Sequence, residues 1–107
     1  MDKFNLDEFM GGWFIGNFEP TLDKTSNFEV SIKRYKKGDY EKKHTHKIAT
    51  EYTIIVEGQV NMFGITYSKN DIIRINPNES TDFEVLEDTI TVVVKTPSVK
   101  DDKYLEK

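Results

Sequence analysis

The sequence predicts an all-β domain, a sandwich or a barrel of short antiparallel strands. Three observations carry the prediction. Short runs rich in Val, Ile, Thr, Tyr and Phe recur along the chain, and "FEVSIKRY" alternates strictly. Turn signals containing Gly, Pro, Asn or Asp separate these runs. No stretch has the length and apolar spacing of a long helix.

The elements follow in order. "NLDEFM" reads as one short helical turn or a loose arm, with Phe4, Phe9 and Met10 as apolar anchors. "GGWFIGNF" reads as a strand and "EPTLDKTSN" as a loop. In "FEVSIKRY", Phe28, Val30 and Ile32 share one face, and Glu29, Ser31, Lys33 and Tyr35 share the other. "YTIIV" and "QVNMFGITY" are two β-rich runs, and a two-residue turn at Glu57-Gly58 would join them as a tight hairpin. "DIIRI" is a strand stopped by "NPNES". "DFEVLE" and "ITVVVK" complete the set around an acidic turn at Glu87-Asp88. The count is seven or eight strands. Nothing divides the chain, so the expectation is one domain over 1–107, with its core at about 11–96 and an exposed charged tail at 97–107.

Composition narrows the function classes. A chain of 107 residues suits one compact domain and buries roughly two thirds of its unfolded surface. The formal net charge of -4 argues against nucleic acid, which demands clustered Lys and Arg in excess. The basic group Lys33, Arg34, Lys36 and Lys37 is answered by Asp39 and Glu41 and reads as a solvated strand end. Absence of cysteine excludes disulfides, thiolate zinc sites and cysteine nucleophiles. No apolar run has the length of a signal peptide or a membrane span, so no membrane partner and a cytoplasmic location are expected. Trp13 reads as core or as a dimer contact, and Arg74 as an exposed strand position.

Both histidines lie in "GDYEKKHTHKIATEYTIIVEG", residues 38–58. Side chains two apart in a strand point to one side, so His44 and His46 can aim two imidazoles at one point. Tyr40 and Lys42 share their parity. Glu51 has the opposite parity, so a bend at "KIAT" is needed to bring it to the same point from an adjacent strand. Two imidazoles and one carboxylate would leave coordination positions open and would suit Fe(II), Mn(II), Zn(II), Ni(II) or Co(II). With the hairpin at Glu57-Gly58, the ligand face also carries Thr53, Ile55, Val60 and Met62, a mostly apolar wall for a small ligand.

The order Gly38, His44, His46, Glu51, Gly58 resembles the first motif of the cupin superfamily, with all five fixed positions filled. The resemblance spans about residues 26–96 and implies an antiparallel jelly-roll β-barrel with one pocket. It also implies a homodimer. The family's second motif is degenerate here. In "NDIIRINPNESTDFEVLED", anchoring on Asn70-Asp71 puts Asn78 at a glycine position and Thr81 where the family has its fourth ligand, a histidine. Anchoring on Pro77 puts Asp82 there instead. The first register keeps the turn-opening Asp71 and is preferred.

Two functions follow. One is a small cupin that binds a divalent metal through His44, His46 and Glu51 and acts on a small polar metabolite, as an oxygenase or isomerase. The other is a non-catalytic cupin, without a functional metal, that senses or sequesters a small molecule.

Overall fold

The computed structural model describes residues 1–105. Two five-stranded antiparallel sheets face each other. The first orders β1 (Trp13–Ile15), β2 (Glu29–Tyr35), β9 (Thr89–Thr96), β4 (Thr50–Glu57) and β7 (Ile72–Ile75). The second orders β10 (Tyr104–Leu105), β3 (Tyr40–Thr45), β8 (Ser80–Val85), β5 (Gln59–Met62) and β6 (Ile65–Ser68). From β2 onward, each connection except β5–β6 crosses to the opposite sheet. That alternation is the jelly roll. No helix is long and apolar enough to cross a membrane among the described residues.

The expected hairpin at Glu57-Gly58 is a correction. There β4 leaves one sheet and β5 enters the other. Gly58 has φ 98°, and a Cβ there would collide with the Asp88 carbonyl and Thr89 of the β8–β9 crossover. Two crossovers thus stack at this end, joined by Leu86 N–H donating to the Gln59 carbonyl at 2.9 Å. The tight hairpin falls instead inside "QVNMFGITY". Met62 pairs with Ile65 around Phe63 and Gly64, both with positive φ, as a primed two-residue turn requires.

Ile55, Val60, Met62, Phe83 and Val85 form the buried core, with Tyr35, Tyr67, Ile73 and Ile75 packed against it. On β2 the polar face points inward: Ser31 is fully buried, and Glu29, Lys33 and Tyr35 line a cavity. The apolar face, including Ile32, is met by the N-terminal arm, which forms two short 3-10 turns at Leu6–Glu8 and Met10–Gly12. Phe4 and Met10 are exposed, so they are not the anchors the sequence implied.

The expected exposed tail is also a correction. Ser98 and Asp102 are buried, and β10 adds to the second sheet beside β3, pairing Tyr104 with Thr45 and Leu105 with His44. The Asp102 carboxylate accepts hydrogen bonds from the Lys47, Ile48 and Ala49 amides at 2.9–3.2 Å. A charged residue lies buried here because it satisfies a turn's amides. The last part of the expected tail, 106–107, lies outside the described residues.

Candidate functional site

A cavity of about 250 Å³ lies between the sheets, above the core. The first sheet faces it with cross-strand rows. Glu29 of β2, Lys95 of β9 and Glu51 of β4 stand in register, one row above Ser31, Val93 and Thr53. The second sheet contributes His44, Thr81 and Phe83, and Trp13 of β1 closes one side.

His44 and Thr81 are direct partners across β3–β8, and Asn78 has φ 70°. Both features match the register that sets Thr81 beside the histidines and lets Asn78 replace a glycine. Asp82 lines the cavity's edge, but its carboxylate is engaged elsewhere, accepting from the Phe63 amide at 2.9 Å and the Tyr40 hydroxyl at 3.3 Å.

Of the expected pocket residues, Thr53 and Met62 line the cavity. Ile55 and Val60 point inward but are 0% exposed, deeper in the core. Tyr40 is 57% exposed and is a correction. A bulge between Glu41 and His44 inserts an extra residue into β3 opposite β8, which reverses the parity below His44. Glu41 therefore faces inward and accepts from the Tyr35 hydroxyl at 3.0 Å, while Tyr40 turns out. Lys33 departs from the solvated reading too. It lines the cavity, where burial lowers its pKa against the opposing pull of Glu41. Arg34, Lys36 and Lys37 are exposed, as expected.

The two imidazoles do meet, edge to face with ring centres 5.2 Å apart. His46 is 5% exposed and lines a recess that shares Glu29, Lys95 and Lys103 with the main cavity. Burial first, then the charge of Lys95 and the proximity of His44, lower its pKa to about 4, so it is neutral at pH 7. Its Nδ1 lies 3.9 Å from Glu51 Oε1, and its Nε2 lies 3.3 Å from the Lys95 ammonium. Lysine can only donate, so Nε2 accepts and Nδ1 carries the proton. Glu51 accepts from the Thr53 hydroxyl at 2.8 Å, and its other oxygen lies 3.9 Å from Lys95 Nζ.

A divalent metal does not fit this arrangement. His46 has no unused lone pair, since one nitrogen is protonated and the other bonds Lys95. No group of three or more His, Asp or Glu is placed to hold a metal ion among the described residues. His44 differs: its Nδ1 donates to the Lys42 carbonyl at 3.0 Å, which leaves the Nε2 lone pair available.

The residues that sequence reasoning missed are Lys95, Glu29, Glu41 and Lys103. For Lys95 a signal existed: in "ITVVVK" it shares parity with Thr91 and Val93, so a strand burying those two also turns Lys95 inward.

No protein-family model matches the sequence, and no curated protein matches it. Solved structures do match. An uncharacterised conserved protein with a double-stranded β-helix domain from Klebsiella pneumoniae has TM-score 0.71 and 18% identity, over 96% of this chain and 89% of that one. An RmlC-like cupin from Shewanella frigidimarina has TM-score 0.63 and 19% identity, over 71% of each chain. The DMSP lyase DddQ from Ruegeria pomeroyi has TM-score 0.71 and 15% identity, over 87% of this chain and 49% of that one. At these identities the likeness is one of architecture, and it agrees with the sheet-switching topology. The chain has the cupin fold.

Proposed function

We propose that the cavity binds a small polar metabolite and that the chain functions as a small-molecule cupin. One observation carries the reading: an apolar-walled cavity holds charged groups of both signs beside buried hydroxyls that lack a protein partner. Trp13, Met62, Phe83 and Val93 supply the apolar wall, and Lys33, Lys95, Glu29 and Glu51 the charges. The hydroxyls of Ser31 and Thr91 are buried without a hydrogen-bond partner, and Thr91 lines the cavity. Buried polar groups without partners are rare in folded proteins, and a polar ligand in the cavity would lie beside Thr91. At about 250 Å³ the cavity falls below the roughly 300–1,000 Å³ of drug-sized pockets, which fits a small metabolite. The fold relative from Ruegeria pomeroyi, a DMSP lyase, acts on a small molecule and so supports the same class.

A second reading makes the chain a metal-dependent enzyme, an oxygenase or isomerase, on the same class of molecule. The 5.2 Å approach of the imidazoles and the 3.9 Å approach of Glu51 to His46 support it, and it requires Lys95 to swing away. Both readings expect a homodimer in the cytoplasm. Light scattering tests the first part, and a monomer at micromolar concentration would remove it.

The test of ligand binding is a thermal-shift screen of small organic acids, sugars and amino acids, run with chelator and with added Mn(II), Fe(II), Zn(II), Ni(II) or Co(II). A ligand at 100 times its Kd stabilises the protein by about 2.7 kcal/mol. For a domain this size that raises Tm by roughly 10 °C or more. Shifts under chelator, diminished in Thr91→Val, support the metal-free binder. Shifts only with metal support the enzyme reading. No shift in either condition sinks both.

A further inference from the structure

We propose that Lys95 is the resident cation of this site: its ammonium takes the place of a divalent metal beside His46 and Glu51 and masks a latent metal site. The inference concerns the cation and not the metabolite, so a failed ligand screen leaves it standing.

Register comes first. Lys95 pairs directly with Glu51 on one side and with Glu29 on the other, so its ammonium lies in a row flanked by two carboxylates. A cation this little exposed needs such compensation. The contacts come second. Its Nζ is 3.3 Å from His46 Nε2, 3.9 Å from Glu51 Oε1 and 5.1 Å from the centre of the Trp13 ring. Three groups converge on the ammonium, and two of them belong to the metal triad expected from the sequence.

The consequence is a competition between two cations for one donor set. While Lys95 donates to Nε2, His46 cannot ligate a metal. A divalent ion next to an ammonium would also meet charge repulsion, worth roughly a thousandfold or more in affinity at the effective dielectric of a protein site. The remaining donors already have suitable chemistry. His44 keeps the Nε2 lone pair, and Glu51 is ionisable and shielded from solvent on its strand. Removing the ammonium would free the His46 Nε2 lone pair, and the three donors, not grouped around one point as they stand, would then close on an ion by side-chain rotation.

The test uses tag-free full chain stripped with chelator and titrated with Co(II), whose d–d absorption reports imidazole and carboxylate ligation. Wild type and Lys95→Arg are expected to show no histidine-dependent band. Lys95→Met is expected to bind about one Co(II) per chain, more tightly than wild type by roughly a thousandfold or more. Its binding should vanish when His46→Ala is added. Lys95→Gln, which keeps a polar stem, is the second variant, and circular dichroism confirms that each variant is folded. Two results overturn the proposal. One is a stoichiometric Co(II) site in wild type that is lost in His46→Ala. The other is folded Lys95→Met and Lys95→Gln proteins that bind Co(II) no better than wild type.

Discussion

Lys95 stands directly opposite Glu51 across the β4–β9 ladder, with its ammonium 3.9 Å from the carboxylate and both side chains less than one fifth exposed. An ion pair so placed is costly to break on one side, because the surviving charge keeps its desolvation penalty without its partner.

Replacing Lys95 with Met should therefore destabilise the protein by about 1–3 kcal/mol, the cost of leaving a partly buried charged group unsatisfied. Glu51→Gln in the same chain should restore part of that loss. Urea denaturation of wild type, both single variants and the double variant gives the coupling. Additive single effects, within about 0.5 kcal/mol, would show that the pair contributes nothing to folding.

His46 should stay neutral far below the usual histidine range. Its pKa, lowered from 6.5 to about 4, is depressed first by burial and next by Lys95. Between those two values the unfolded chain binds the proton and the native chain does not. Stability from this group is thus full above pH 6.5 and declines as pH falls toward 4. NMR titration of the ring protons in His44→Ala, which leaves one histidine, reads the value directly. Lys95→Met should raise it, and a pKa near 6.5 in the parent would contradict the burial of the ring.

Asp102 should act as a clamp on the turn after β3. Burial alone would raise its pKa, but the amides of Ala49, Lys47 and Ile48 outweigh that and lower it below 3.8. The stabilisation is present above pH 3.8 and is lost as pH falls through the lower native value. Asp102→Ala should cost roughly 1.5–3 kcal/mol, the range for hydrogen bonds to a charged group. It should also loosen the segment that carries His46, seen as faster amide exchange at Lys47, Ile48 and Ala49. Unchanged exchange there would mean that the turn holds its shape without the carboxylate.

Gly58→Ala should be among the most damaging single substitutions. It combines positive φ with a collision against the Asp88 carbonyl and Thr89. Gly38→Ala meets nothing within 4 Å and pays only the conformational part. A chemical-denaturation comparison ranks the two, and equal losses would refute the collision.

The fold was legible in the sequence to the extent that period and turn chemistry report it. The alternating runs became strands, and the resemblance of residues 38–58 to the first cupin motif implied the jelly roll. Pairing partners were not legible, because local pattern does not say which sheet a strand joins. Glu57-Gly58 has hairpin chemistry yet links two sheets, whereas Phe63-Gly64 makes the hairpin. Parity failed where a bulge intervened, so Tyr40 and Glu41 exchanged faces. The strand "FEVSIKRY" shows the same limit. Alternation sorted its residues onto two faces without saying which faces inward: the polar face lines the cavity, and the N-terminal arm meets the other. Within the candidate site, the two histidines and the glutamate did come close together. The lysine among them went unseen because a charged residue ending an apolar strand ordinarily projects to solvent.

The sheet-switching order of the strands has a kinetic meaning. Glu29 and Lys95 pair across β2–β9 although they lie far apart in the chain, and β4 sits between β9 and β7. Loop-closure entropy must be lost before these pairings return any energy, which places such topologies in the millisecond-to-second range of folding. Glu29, His46, Glu51 and Lys95 come from segments that meet only when the first sheet closes. Any partly folded intermediate therefore lacks the site entirely, and binding competence should appear in one late step together with native tertiary structure.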